Sequence, residues 1–196
     1  MIIYLVRHGE KEKHKINPPL SNLGNSQAKK TALYFEDIKI DKIYSSPLLR
    51  TIQTAKIISE YLKTNFEVNN LLKERFSWGD IKNQTYLEFI GIWKKSSLVR
   101  NWQPARGLSS TKAGQRFNSF LKSIDENKYR NVIIVSHGGI IADFLRNCFD
   151  DKTLNSILPN FSDYYENLIP VCSITTLEKR NNIYNIVKIA DTNHLK

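Results

Sequence analysis

No apolar stretch in these 196 residues approaches the roughly 20 needed to cross a bilayer, so a soluble chain with no membrane partner is expected. The N-terminus carries neither a basic n-region nor a cleavage site, and Ile2 to Val6 suits a core strand better than a signal peptide. Cysteine is scarce: Cys148 and Cys172 have no metal-type spacing and are expected to be reduced core residues of a cytoplasmic protein. A Walker-type loop and a set of acidic magnesium ligands are both missing, which argues against metal-assisted chemistry and leaves no cofactor to expect. Internal repeats, low-complexity tracts and interdomain linkers are absent as well, so residues 1–196 read as one domain.

Acidic residues are the minority, 19 against 29 lysines and arginines, and the formal net charge is +10. Such a balance fits nucleic acid, an anionic membrane surface or a small anionic substrate. The excess is uneven. Between Lys73 and Arg116 stand nine basic residues (Lys73, Arg75, Lys82, Lys94, Lys95, Arg100, Arg106, Lys112 and Arg116) against Glu74, Asp80 and Glu88. For most of these lysines a solvated face is the simpler reading.

What is present is organised around Ile2-Ile3-Tyr4-Leu5-Val6-Arg7-His8-Gly9-Glu10, a strand-forming run that ends in a charged cluster. Val132-Ile133-Ile134-Val135-Ser136 repeats the arrangement and ends in His137-Gly138-Gly139. Between them the pattern predicts a helix near Asn25 to Asp37, a strand at Lys42 to Ser45, and a helix from Pro47 to Leu62 with Ser46 as its N-cap. A short strand at Phe66 to Val68 follows. Further helices are expected at about Thr85 to Lys95, at Thr111 to Ile124 (capped by Ser109 or Ser110) and at Gly139 to Phe149. Strands Val171 to Glu178 and Ile183 to Ile189 close the chain, joined by a hairpin turn at Lys179-Arg180-Asn181-Asn182. Alternating strands and helices predict an α/β fold: a three-layer α/β/α sandwich with a mainly parallel sheet and a C-terminal antiparallel hairpin. Residues from about 71 to 107 read as a lid insertion over the carboxyl edge of that sheet.

Chemistry should gather at that edge. Arg7 and His8 are neighbours at a strand end, and the turn at Gly9 must re-aim one of them. Arg50 falls in the first turn of a helix, where exposed amides already favour an anion, and His137 precedes the amides of Gly138 and Gly139. Two arginines, two histidines and two helix N-termini suit a compact dianion, and phosphoryl fits best because arginine forks bind its oxygens bidentately. A neutral histidine can serve as nucleophile, and nearby cations hold its pKa down. A carboxyl group would then protonate the leaving oxygen and activate water.

Four ordered motifs carry a resemblance: Arg7-His8-Gly9-Glu10, Leu20-Ser21-Asn22-Leu23-Gly24 with Gln27-Ala28, Ser45-Ser46-Pro47-Leu48-Leu49-Arg50-Thr51-Ile52-Gln53-Thr54-Ala55, and Ser136-His137-Gly138-Gly139. Together they resemble the histidine phosphatase superfamily, and its phosphoglycerate-mutase-like branch more closely; Asp191-Thr192-Asn193-His194-Leu195 resembles a tail common there. The resemblance implies that His8 is the phosphorylated nucleophile and that Arg7, Arg50 and His137 hold the phosphoryl group. It implies Glu74 as general acid and base, from Leu72-Lys73-Glu74-Arg75-Phe76-Ser77-Trp78-Gly79-Asp80, although Ser77-Trp78-Gly79 only partly follows the usual glycine-tryptophan-glutamate order.

The implied activity is a metal-independent phosphatase acting through phosphohistidine. A phosphoglycerate mutase-type phosphotransferase is one alternative, disfavoured by the short chain and by Lys11-Glu12-Lys13-His14-Lys15, which lacks the asparagine of mutase-like members. A non-catalytic anion- or nucleic-acid-binding module is another, disfavoured because His8 and His137 are both present. The substrate is expected to be a small phosphorylated polyanion, such as a sugar bisphosphate or nucleotide, met by Arg75, Lys82, Arg100 and Arg106, with Gly138 and Asn17 as further contacts. For Asn17 a loop turn before Pro18 is the simpler role, and His14 is the less favoured phosphate ligand. Glu10 is expected to brace the turn and His194 to pack. At least two of Trp78, Trp93 and Trp102 are expected to close the core rather than line a pocket.

Overall fold

Strand β4 (Asn131–Ser136) lies between β1 (Ile2–Arg7) and β2 (Lys42–Ser45), all three parallel, in a computed structural model that describes residues 1–13, 16–161 and 168–196. Ladder pairing sets Arg7 opposite Ser136 and Ser45 opposite Val135. The next residues, His8, His137 and Ser46, therefore leave the sheet side by side. Strand β3 (Phe66–Val68) extends the parallel sheet beyond β2. On the other side β5 (Ile174–Arg180) pairs antiparallel with β1, and β6 (Ile183–Asp191) pairs antiparallel with β5, giving the order β3-β2-β4-β1-β5-β6.

Alternation along the central strands divides the core into two layers. Ile3, Leu5, Val132 and Ile134 face Phe117 and Leu121 of α4 (Ser110–Ser123) and Phe144 and Leu145 of α5 (Gly138–Cys148). Tyr4, Val6, Ile133 and Val135 face Ala32 of α1 (Asn22–Tyr34) with Phe35 just beyond it, and Ala55 and Ile58 of α2 (Leu49–Leu62). The three-layer α/β/α sandwich with its antiparallel C-terminal hairpin is therefore present. Among the described residues no helix is long and apolar enough to cross a membrane.

Local chemistry explains where elements begin, including where they depart from expectation. Helix α1 starts three residues early because Ser21 accepts the Gly24 amide and caps it. Helix α2 starts late, at Leu49: Ser46 is not its cap, because the Ser46 amide still bonds Val135 O in the sheet direction. The amide of Leu49 is instead capped from a distance by Asn17 Oδ1, at 2.9 Å. Helix α3 (Tyr86–Leu98) opens on a capping box of Thr85 and Glu88, and Ser109 caps α4. A short helix not anticipated from the pattern, α6 (Asp151–Ile157), follows α5 and is capped by Asp150. Strand β5 begins three residues late because Cys172, at φ 52°, turns the chain so that its amide reaches the carbonyls of both Arg7 and His8. The hairpin turn is Asn181-Asn182, both at positive φ, which matches the twist of the flanking strands.

The loop after β1 crosses the first turn of α1 so closely that a Cβ on Gly24 would sit 1.9 Å from Glu10 O, and one on Gly9 would sit 2.6 Å from Gly24 O. Only glycine admits this crossing. Glu10 secures it by accepting the Ser21 hydroxyl at 2.6 Å, a bracing role as expected.

Candidate active site

His8 is buried at the end of β1, and its two ring nitrogens have unlike partners. Nδ1 lies 2.7 Å from Gly9 O, which can only accept, so Nδ1 carries the proton. Nε2 faces Arg50 Nε at 3.1 Å, which can only donate, so Nε2 presents its lone pair. Arg50 also reaches His137 Nδ1 at 3.2 Å through Nη2, which puts the His137 proton on Nε2, where it donates to Ser46 Oγ at 2.8 Å. The two rings meet edge to face with centroids 5.3 Å apart. Burial first, and the Arg50 guanidinium second, push both imidazoles well below the usual histidine pKa of 6.5. Each is therefore held neutral with a fixed tautomer.

Arg50 itself is buried, and its pKa is pushed down to about 10 by desolvation, with Glu74 opposing the shift. It sits in the first turn of α2, whose packing is fixed by Thr54: Thr54 Oγ1 accepts the Gly9 amide at 3.1 Å and donates to Arg50 O at 2.8 Å. Arg7 donates Nη1 to Ile169 O, while its buried Nε finds no partner among the described residues. Gly138 lies directly against the Arg7 side chain, where a Cβ would come within 3.2 Å of Cδ and Nε.

Glu74 comes from the irregular stretch between β3 and α3. Its Oε2 accepts the Gly139 amide at the start of α5, at 3.0 Å, and its Oε1 accepts the Arg75 amide at 2.9 Å. Arg7, His8, Arg50, Glu74 and Gly138 line one cavity of about 440 Å³, whereas His137 is buried behind Arg50 and is not among the lining residues. Asn17 lines it too, with its carbonyl oxygen engaged in capping α2. His14 lies outside the described residues.

The β3–α4 segment does not present its cations to this cavity as expected. Arg75 contributes to the wall, but its Nη1 is 3.1 and 3.2 Å from the two Asp143 oxygens and its guanidinium lies 3.8 Å over the Trp93 ring. Arg100 donates to Asp143 O, Arg146 O and Asn147 Oδ1. Lys82 and Arg106 are not among the cavity-lining residues. The polyanion subsite expected from these four is therefore not formed by them: Arg75 and Arg100, buried or half-buried, take the carbonyl and carboxylate partners that water would otherwise supply, and Lys82 and Arg106 are exposed away from the cavity. Trp78 and Trp93 both line the cavity, with Phe76, Tyr86 and Phe89, so only Trp102 stays off it, under the Lys95 ammonium. This corrects the expectation for the tryptophans. His194 packs against Tyr34 and bonds Thr31 Oγ1, as expected.

Sequence reasoning missed Ser46, Thr54, Asp143 and Lys11. Ser46 and Thr54 lay inside a recognised motif, where Ser46 was read as a helix cap. Asp143 gave no local signal beyond its place on an otherwise apolar helix face. Lys11 lines the cavity rim, and its pKa is lowered by partial burial and by Arg50 and Arg7.

Comparison with known proteins bears on this arrangement. Residues 3–192 match the histidine phosphatase superfamily (branch 1). A relative in Hydrogenobacter thermophilus, named "Putative phosphoserine phosphatase 2", is 32% identical over 153 residues, covering 71% of this chain and 74% of that protein. Among solved structures, a phosphoserine phosphatase of Entamoeba histolytica in complex with 3-phosphoglyceric acid superposes with a TM-score of 0.75 at 23% identity, over 100% of this chain and 99% of the other. A mycobacterial glucosyl-3-phosphoglycerate phosphatase gives 0.73 at 19% identity, over 97% and 99%. At those identities the two structures speak for the fold, while the match over residues 3–192 speaks for descent. The chain belongs to the histidine phosphatase superfamily (branch 1), and it is a phosphatase.

Proposed function

We propose that the protein hydrolyses small phosphomonoesters in two steps through a phosphohistidine on His8. The observation that carries this reading is the fixed tautomer of His8 at the cavity wall: Nδ1–H is tied to Gly9 O, and the Nε2 lone pair accepts from Arg50 Nε, a bond that gives way when Nε2 attacks. Nε2 attacks phosphorus in line; the N–P bond forms as the P–O bond to the alcohol breaks, and Glu74 delivers a proton to the departing oxygen. Water then attacks phosphorus, gives a proton to Glu74, and the N–P electron pair returns to Nε2. Arg7, Arg50 and His137 surround the transferring group with donors, and the developing charge on its oxygens is what they stabilise. His137 must then exchange a partner, since its Nε2–H now serves Ser46.

Two features bear on the substrate. The names of the relatives point to phosphoserine and to glucosyl-3-phosphoglycerate, esters that carry a carboxylate, and Lys11 supplies a cation on the rim. Five aromatic side chains, Phe76, Trp78, Tyr86, Phe89 and Trp93, share the wall with Asp80, with the paired Arg75 and Asp143 and with Arg146, which donates to Ser97 O; an apolar face beside carboxylates favours one further anionic group on the substrate over a second phosphoryl group.

The test is phosphate release from a panel beginning with phosphoserine and 3-phosphoglycerate, with EDTA present, for wild type and His8→Ala. Metal-independent turnover in wild type should fall by at least about 10⁴-fold in the variant, with acid-labile phosphate trapped on wild-type protein by rapid quenching. Undiminished turnover in His8→Ala ends the phosphohistidine reading. Isomerisation of 3-phosphoglycerate without net release would replace it with the mutase reading.

A further inference from the structure

We propose that Asp143 is a positioning residue for Glu74, acting through Arg75. This rests on the reading of Glu74 as general acid and base. Residues 73–85 lie between the short 3₁₀ turn Asn70–Leu72 and the start of α3, so no helix or strand holds Glu74 in place. Its position has to come from anchors: Arg116 of α4 holds the backbone at the Lys73 and Glu74 carbonyls and the Leu108 amide holds Arg75 O, while the anchors of the two side chains lie on one face of α5. Gly139 holds the Glu74 carboxylate through its amide, and Asp143, one helical turn further, holds the next side chain, Arg75. The Arg75 amide is itself the second donor to the Glu74 carboxylate. Fixing Arg75 therefore fixes one of the two hydrogen bonds that orient the acid.

Arg75 is held at both terminal nitrogens and over one face of its guanidinium. Nη1 bonds both Asp143 oxygens, Nη2 donates to Ser97 Oγ at 2.5 Å, and the Trp93 ring covers the guanidinium. Asp143 also takes a hydrogen bond from the Ser110 hydroxyl. The pair is almost wholly buried, with 2% and 3% side-chain exposure, and it ties the Glu74 stretch to α3, α4 and α5 at once. Buried ion pairs are weak contributors to net stability, since apolar replacements of similar volume are often neutral. A geometric role accounts for the pair where a stability role does not. A displacement of about 1 Å at a catalytic group is enough to cost roughly 10²-fold in rate.

Leaving-group dependence separates positioning from general damage. The value of kcat/KM reports phosphorylation of His8, in which Glu74 matters for an alkyl ester and hardly for p-nitrophenyl phosphate, whose phenolate leaves unaided. Asp143→Asn should lower kcat/KM for phosphoserine by about ten- to a hundredfold and for p-nitrophenyl phosphate by less than about threefold. The double variant Arg75→Met with Asp143→Leu, which leaves no buried charge unpaired, should show the same selective loss and covers the case in which Asp143→Asn does not fold. Equal losses on both esters in a folded variant, or a double variant with the wild-type ratio, overturns the proposal. Glu74→Gln is run in parallel. If it is selective and the Asp143 variants are not, positioning fails and the role of Glu74 stands; if Glu74→Gln is itself unselective, the acid assignment fails and this inference with it.

Discussion

At the sheet edge, Arg50 directs its donors at two imidazoles of the site; on the β3–α4 side, Arg75, Arg100 and Arg116 turn theirs into protein carbonyls and a carboxylate. The two sides carry the same kind of charge and use it in opposite ways. At the edge, neighbouring parallel strands stop in register, so cations and helix N-termini converge, and the acid that joins them, Glu74, comes from outside the strands. On the other side an irregular stretch has to be held down, and arginine, with five donors in a rigid fork, does the holding. Local net charge is thus a poor guide to which cations meet substrate, and strand register is a better one.

The largest test of this contrast replaces one arginine on each side by lysine. Arg50→Lys loses the fork that serves both imidazoles, and kcat/KM should fall by roughly 10²–10³-fold with folding stability little changed. Arg100→Lys should cost about 1–3 kcal/mol of stability through its lost carbonyl and Asn147 bonds, with kcat/KM within about threefold of wild type. Unfolding midpoints and steady-state rates on the same samples decide it. Similar profiles for the two variants would dissolve the contrast.

Gly139 lies where the two sides touch. A Cβ there would sit 2.5 Å from the Trp93 ring and 2.8 Å from Glu74 Oε1, so Gly139→Ala must displace one of them. A drop in kcat/KM of about ten- to a hundredfold is expected, larger for alkyl than for p-nitrophenyl esters, because the acid moves and the nucleophile does not. A variant that loses activity equally on both esters would mean that the disturbance reaches His8.

Acid should also tell the sides apart, because their buried groups titrate with opposite sign. His8 and His137 face Arg50, with Arg7 nearby, and both are depressed below 6.5. Below pH 6.5 the unfolded chain binds protons that the folded chain refuses, so these two residues make stability fall with pH, by up to about 2.7 kcal/mol per unit together. Asp143 is raised to about 6 by burial, against the pull of Arg75, so between about pH 4 and 6 the folded chain holds a proton that the unfolded chain has released. Its contribution rises as pH falls and opposes that of the histidines. Urea midpoints at pH 7, 6 and 5 should fall more steeply in wild type than in His8→Asn, by up to about 1.4 kcal/mol per unit. Equal slopes would mean that His8 is protonated in the folded state, which would remove the nucleophile at those pH values.

How much of this was legible in the sequence follows the same division. Strands β1 and β4 announce themselves as β-branched runs, so the placement of Arg7, His8 and His137 at their carboxyl ends needed no tertiary information. Arg50 followed from its place in a first helical turn. Contacts between distant residues were silent: Ser46 meets His137 across 91 positions, and Arg75 meets Asp143 across 68. Both serines and arginines have strong local roles, as caps and as solvated charge, and only packing between distant segments overrides them. The remote cap from Asn17 misplaced the start of α2 for the same reason.

The smallest expected effect lies on the outer face of α3. Gly91 is an exposed glycine in mid-helix, and a Cβ there would meet nothing within 4 Å, whereas Trp93 of the same helix packs against Gly139. Gly91→Ala should therefore stabilise the protein by up to about 1 kcal/mol through helix propensity alone. If α3 is a fixed wall, as its ties through Trp93 and Ser97 to Arg75 imply, kcat and KM should both stay within about twofold of wild type. A gain in stability accompanied by a fall in kcat would show instead that α3 has to loosen during turnover. The segment would then be a moving part, and the contrast with the rigid sheet edge would become one of dynamics as well as charge.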